Sequence, residues 1–268
     1  MNEKKCKLCL SKFNLQNNQS NCLMLQSSTH FTVISDIHNT HRMLSIKKTD
    51  FLIICGDVTN GGNKSELKSF QRWLADQPTK HTVMIWGNHE RRLELRDVSL
   101  KLESDQKNLT FLNGLKTIGN FQFYGQNYPF KAPLEKFDTT KPLISLSHEP
   151  PLGVMDLGIS NRKIINDTFY HAGSQEVISF IQKYNPQMHC FGHCHSSHGI
   201  CQVKNTLCVN GALVDDCGEP FKKPIEILYT QNTFRPIDQS KCITLQHFLK
   251  MASKDPFEYI TTTNEYCN

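Results

Sequence analysis

Eight side chains in this sequence have types and spacings that could do chemistry together. Asp36 and His38 stand one residue apart, Asp57 follows Gly56, and Asn88 and His89 follow Gly87. His148 follows Ser147, and His193 and His195 flank Cys194. Seven of the eight, Asp36, His38, Asp57, Asn88, His148, His193 and His195, offer only oxygen and imidazole nitrogen. Mixed donors of that kind suit borderline divalent ions such as Mn²⁺, Fe²⁺ or Zn²⁺. Seven donors exceed what one tetrahedral ion accepts, and they suit two ions that share one carboxylate. A glycine before Asp57, Asn88 and His193 lets the chain turn sharply there and leaves space beside the donors.

The elements that must carry these residues are short apolar runs. Phe31–Ser35, Phe51–Cys55, Thr82–Trp86, Leu143–Leu146 and Met188–Phe191 read as central strands, apolar on both faces. Each is followed at once by one of the donor groups. A single Asp, Asn or His after a strand is most often structural, but five at corresponding strand ends point to a site where open α/β sheets place theirs. Between the strands lie helical patterns. SELKSFQRWLADQ puts Leu67, Phe70 and Leu74 on one face with Ser65 as the expected N-cap, and residues 91–106 form a second candidate. Ser174 opens a third, with Val177, Ile178 and Ile181 as its apolar stripe. Leu115–Ile118 with Phe121–Tyr124, and Cys201–Lys204 with Thr206–Val209, read as hairpins, and Ile225–Tyr229 as a late strand. Strands alternating with helices predict an α/β class.

Composition narrows the function classes. The chain has 268 residues, enough for one large or two small domains. With 38% apolar and 21% charged residues it reads as a soluble globular protein. A formal charge of +5 is too mild for a dedicated nucleic-acid-binding module. No run approaches the ~18 apolar residues of a membrane span, and the first residues lack the apolar stretch of a secretory signal. The expected compartment is therefore the reducing cytoplasm, with the 11 cysteines as free thiols and Cys55, Cys190 and Cys208 as buried small apolar side chains. Residues 1–30 read as a polar N-terminal extension. Cys6, Cys9, Cys22 and His30 there could bind zinc, but only one Cys pair is tightly spaced, so an arm is the preferred reading. Residues 31–230 are expected to hold the functional domain, and 231–268 a partly helical C-terminal extension with a short helix near Leu245–Met251.

The ordered set D-x-H, G-D, G-N-H-[DE], H and G-H-x-H resembles the calcineurin-like metallophosphoesterase superfamily over about residues 31–229. GDVTNGG, WGNHE, HEPPLGVMDLG and HAGSQEV…NPQMHCFGHCH are similar to its metallophosphoesterase-domain-containing subfamily. The resemblance implies a four-layer α/β/β/α fold with two sheets flanked by helices. It implies that Asp36, His38 and His195 bind one metal, that Asn88, His148 and His193 bind a second, and that Asp57 bridges them. His89 matches the catalytic histidine. The implied activity is hydrolysis of a phosphate ester by a hydroxide activated between two metals, with a small phosphodiester, such as a cyclic nucleotide, as the substrate class. Phosphomonoesters or phosphoproteins, and a weakly active metal-binding scaffold, are the alternatives. Where the protein phosphatase branch has G-D-x-x-D-R-G, this chain has Asn60 for the second Asp and lacks the Arg, which counts against phosphoproteins and leaves the partner of His89 open. Arg91, Arg92 and His171 are candidates for the cleft. His41, His189 and His198 are preferred as supporting or surface residues, and Glu149 stands where family loops carry Gly.

Overall fold

The computed structural model describes residues 28–91, 95–133, 136–159, 169–215 and 222–238. Cys6, Cys9, Cys22, Arg92 and the proposed helix at Leu245–Met251 lie outside them. Along the chain run β1 (Thr29–Ile34), β2 (Thr49–Ile54), α1 (Lys64–Ala75), β3 (Thr79–Met84), α2 (Leu95–Asp105), β4 (Leu109–Phe111), β5 (Gly114–Ile118), β6 (Phe121–Gly125) and β7 (Leu143–Leu146). They are followed by β8 (Leu157–Ile159), β9 (Phe169–His171), α3 (Gln175–Tyr184), β10 (Met188–Phe191), β11 (Gly199–Val203), β12 (Thr206–Asn210), β13 (Ile225–Thr230) and β14 (Thr233–Pro236). Two six-stranded sheets result, ordered β14-β13-β1-β2-β3-β4 and β11-β12-β10-β7-β6-β5. β8 and β9 form a separate hairpin.

Alternation along the strands builds the layers. In β1, Phe31 and Val33 join a cluster with Phe123, Ile144, Cys190 and Val209 of the second sheet, while Ile34 packs with Phe70 and Leu74 of α1. Successive side chains point to opposite faces, so β1 covers the sheet–sheet core with one face and the helix layer with the other. The second sheet does the same, with Tyr124, Leu143 and Phe191 packing on Val177, Phe180 and Ile181 of α3. The four layers implied by the resemblance are thus present. β1 begins at Thr29 rather than Phe31, because Thr29 and His30 still pair with Tyr229 and Leu228.

Two helix starts differ from the sequence expectation. α1 is capped by Asn63, not Ser65: the Asn63 side chain accepts from the Glu66 amide at 3.0 Å, and Glu66 reaches back to the Asn63 amide. That reciprocal pairing satisfies two otherwise open donors, and Ser65, inside the first turn, donates to Asn63 Oδ1 at 2.6 Å. Arg91, the expected start of α2, lies in a turn; residues 92–94 are outside the described residues, and the helix runs over Leu95–Asp105. The third helix has the expected cap, Ser174, which accepts from the Val177 amide, and ends at Asn185 in the left-handed region.

The central strands of the second sheet carry one buried polar unit. His189, fully buried, faces Ser145 Oγ at 2.8 Å through Nδ1 and Ser147 Oγ at 3.0 Å through Nε2. Ser147 already donates its proton to the carbonyl of Glu149, so it accepts from Nε2–H, and Ser145 donates to Nδ1. Burial pushes the His189 pKa down to about 3, consistent with a neutral ring holding two serines.

Candidate metal centre

The site lies where the two sheets meet. Ser35, just past β1, forms a parallel bridge to Ala212, just past β12, with Ser35 N donating to Gly211 O at 2.8 Å. From there the loop after β1 lies on the loop after β2: Asp36 N donates to Gly56 O, and Ile37 N and His38 N both donate to Asp57 O. Asp36, His38, Asp57 and His193 all have positive φ, between 43° and 67°. Such backbone is unfavourable for residues with a Cβ and accumulates at functional sites. Two glycines make room. A Cβ on Gly192 would collide with the Asp36 carboxylate, and one on Gly87 with the Asp57 carboxylate.

All eight sequence-predicted residues arrive at this point. Asp36, His38 and His195 present donor atoms within 4.8 Å of one another, as do Asp57, His148 and His193. A third overlapping set, His38, Asp57 and His89, joins them. Asn88 enters through Oδ1, 2.8 Å from His148 Nε2. Asp57 Oδ2 lies 3.2 Å from His148 Nε2 and 3.8 Å from both His38 Nε2 and His89 Nε2, so it stands between the groups.

The histidines are aimed by main-chain carbonyls. His148 Nδ1 donates to Cys55 O at 2.8 Å, and His195 Nδ1 donates to Asp215 O at 3.0 Å. Since a carbonyl only accepts, each ring carries a proton on Nδ1 and turns Nε2 inward, the arrangement in which a second partner fixes a metal-binding imidazole. His89 Nδ1 donates to Asn60 O at 2.6 Å. That main-chain carbonyl is the partner of His89 that the departure from G-D-x-x-D-R-G leaves open.

The electrostatics are those of a site built for positive charge. Burial opposes ionisation of Asp36 and Asp57, yet His195, its Nε2 3.2 Å from Asp36 Oδ1, and the charge of His148 beside Asp57 hold both below the usual carboxylate range. Burial works against a charged His148, but Asp57, by charge and hydrogen bond, lifts it to about 10. Burial, with repulsion from His148, lowers His193 to about 4, and burial also lowers His38. Among the described residues, Asp36 Oδ1 and His38 Nε2 are buried with no hydrogen-bond partner. Unpaired buried acceptors are costly, and these two converge with the rest of the donor set, so the residues fit a divalent cation.

Two supporting residues, Glu90 and Asp156, carried no sequence signal beyond a motif letter. Glu90, fully buried, accepts from Asp57 N, Gly87 N, Thr59 N and Thr59 Oγ1 at 2.8–3.0 Å. It ties the Asp57 loop to the Asn88–His89 loop. Burial and the charge of Asp57 raise its pKa, against the bonds from Thr59. His171 Nδ1 pairs with buried Asp156 at 2.8 Å, a bond that raises the His171 pKa. Its strand pairs with β8, where Ser196 Oγ donates to Leu157 O, so this hairpin braces the loop after His195. His41 is buried against α1 with Nε2 hydrogen-bonded to Ser69 Oγ, and His189 lies within the second sheet, both in supporting positions.

The family model described as calcineurin-like phosphoesterase matches residues 29–197. The chain is similar to Metallophosphoesterase domain-containing protein 1 of Homo sapiens, 25% identical over 236 residues that cover 74% of this chain and 70% of that protein. It is similar to the UPF0046 protein K07C11.7 of Caenorhabditis elegans, 26% identical over 226 residues that cover 75% of each. Among solved structures, TT1561 of Thermus thermophilus matches with a TM-score of 0.52 at 13% identity, over 78% of this chain and 98% of that one. At that identity the likeness concerns the fold.

Proposed function

From the chain's membership of the calcineurin-like phosphoesterase family, we propose that it hydrolyses phosphodiesters with two divalent ions at this centre. The observation that carries the reading is the pair of donor groups, Asp36–His38–His195 and Asp57–His148–His193, meeting across Asp57. Asp36, His38 and His195 would hold one ion, Asn88, His148 and His193 the other, and Asp57 both. Mn²⁺, Fe²⁺ and Zn²⁺ all match this donor set. Two such ions, when bound, neutralise phosphoryl oxygens and make water a nucleophile at neutral pH.

The protein's own groups do the rest. The carbonyls of Cys55 and Asp215 keep His148 and His195 in the tautomer that offers Nε2 inward. Gly87 and Gly192 keep the space in front of Asp57 and Asp36 clear. His89, half-exposed and hydrogen-bonded through Nδ1 to Asn60 O, turns Nε2 toward Asp57 and the reaction space. From there Nε2 donates a proton to the leaving oxygen, which makes His89 the catalytic acid. Such a proton assists expulsion of the alkoxide from an alkyl phosphate ester.

The diester preference is supported by GDVTNGG, which lacks the Asp and Arg found in the protein phosphatase branch. Cys55 and Cys190 are buried free thiols, in keeping with a proposed reducing, cytoplasmic setting. Among the described residues no helix is long and apolar enough to cross a membrane. The test of the preference is kcat/KM for bis-p-nitrophenyl phosphate against p-nitrophenyl phosphate with Mn²⁺ present. The diester is expected to be the better substrate, and a clear preference for the monoester would overturn this part of the reading.

A further inference from the structure

Beside the His148–His193 half of the centre stands a group that the donor set does not use. Arg91 lies over the ring of Tyr128, its Cζ 4.3 Å from the ring centroid. The Tyr128 ring in turn lies 6.0 Å from the His148 ring and 6.1 Å from the His193 ring, centroid to centroid. The segment carrying Tyr128 is stitched to both neighbouring site loops. Asn127 Oδ1 accepts from Trp86 N at 2.9 Å, and Tyr128 N donates to Trp86 O at 3.1 Å, two residues before Asn88. Phe130 N donates to Glu149 Oε1 at 3.0 Å, one residue after His148. Glu149 is buried.

We propose that Arg91, held over the Tyr128 ring, binds a non-bridging phosphoryl oxygen of the substrate on the His148–His193 side of the centre. A guanidinium is always charged, and stacking on an aromatic ring restrains its plane while its N–H edges stay available to an anion. Arg91 is exposed, and no carboxylate among the described residues pairs with it. The chain lacks the arginine that the protein phosphatase branch carries after Asp57, where Gly61 stands. Arg91 supplies that charge from just past the Gly87–Glu90 loop. Glu149 gains a purpose in the same arrangement: it fixes the Tyr128 segment on which the guanidinium rests.

The inference rests on the phosphoesterase reading, and two readouts separate it from that reading. In the Mn²⁺-loaded protein, the dissociation constant of inorganic phosphate is measured by calorimetry, and KM and kcat are measured with bis-p-nitrophenyl phosphate. Arg91→Ala is expected to raise both the phosphate constant and KM by about tenfold to a hundredfold, the worth of one charge-assisted hydrogen bond. It should change kcat little and keep the metal content of the wild type, because uniform binding is lost without loss of chemistry. Arg91→Lys should recover part of the affinity, and Tyr128→Leu should weaken phosphate binding with Arg91 still present. Phosphate affinity and KM unchanged in Arg91→Ala would overturn the proposal, as would loss of metal in that variant. A metal-loaded wild type that turns over no ester defeats the phosphoesterase reading instead, while the phosphate titrations still report on Arg91.

Discussion

At the scale of the residue, the site depends on side chains whose two ends have different partners. His89 gives Nδ1–H to Asn60 O and turns Nε2 toward Asp57. His89→Ala should therefore lower kcat by about 10²–10⁴-fold, the usual worth of a positioned general acid, while metal analysis finds both ions retained. Asp57 stands between both donor groups, so Asp57→Ala should lose both ions together. Retention of one full equivalent would show that Asp57 serves only one half. The donor residues were legible in the sequence because each is a polar type placed directly after an apolar run. Their aiming groups were not, since the carbonyls of Cys55, Asn60 and Asp215 belong to the main chain and leave no trace in residue type. The left-handed backbone at Asp36, His38 and Asp57 was likewise hidden, because those positions carry ordinary side chains rather than glycine.

At the scale of the element, the site is a set of strand ends held in register by hydrogen bonds between loops. Glu90 shows how. Its two oxygens accept four donors from the loops after β2 and β3. Glu90→Gln places an amide among those donors and leaves at least one unpaired, at roughly 1–3 kcal/mol for each buried group. Its melting temperature should fall and its metal affinity with it, measured by thermal unfolding with and without Mn²⁺. Unchanged melting would show that the two loops hold together without the clamp. The strands themselves were readable from apolar runs of the right length. α1 was readable too, but its start was misplaced by two residues, because Asn63 and Ser65 are both good caps and only the Glu66 side chain, reaching back to Asn63 N, decides between them. The hairpin of β8 and β9 gave no sequence signal, since strands of three residues are too short to show alternation.

At the scale of the whole molecule, two sheets enclose one core between them and a helix layer covers each outer face. The strand-and-helix alternation announced the α/β class, whereas the division into two sheets depends on which strands pair across long separations and came only through the resemblance. The interior places His189 in the second sheet as a neutral ring, with its pKa lowered from 6.5 to about 3. The unfolded chain takes up a proton below pH 6.5 that the folded one refuses. Stability from this residue is thus complete above that value and is lost as pH falls toward 3, by up to about 1.4 kcal/mol per pH unit. Urea unfolding across that range should show the slope, and His189→Gln should flatten it; an unchanged slope in the variant would place the acid sensitivity elsewhere. The fold as a whole serves one place, the junction of the sheets where Ser35 meets Ala212 and the donor groups converge. The most direct test of that convergence is turnover of bis-p-nitrophenyl phosphate by metal-stripped protein as Mn²⁺ is added back. The expected result is no hydrolysis without metal and a rise that saturates as the second equivalent binds. Metal-replete protein that hydrolyses neither this diester nor p-nitrophenyl phosphate would contradict the two-metal phosphoesterase.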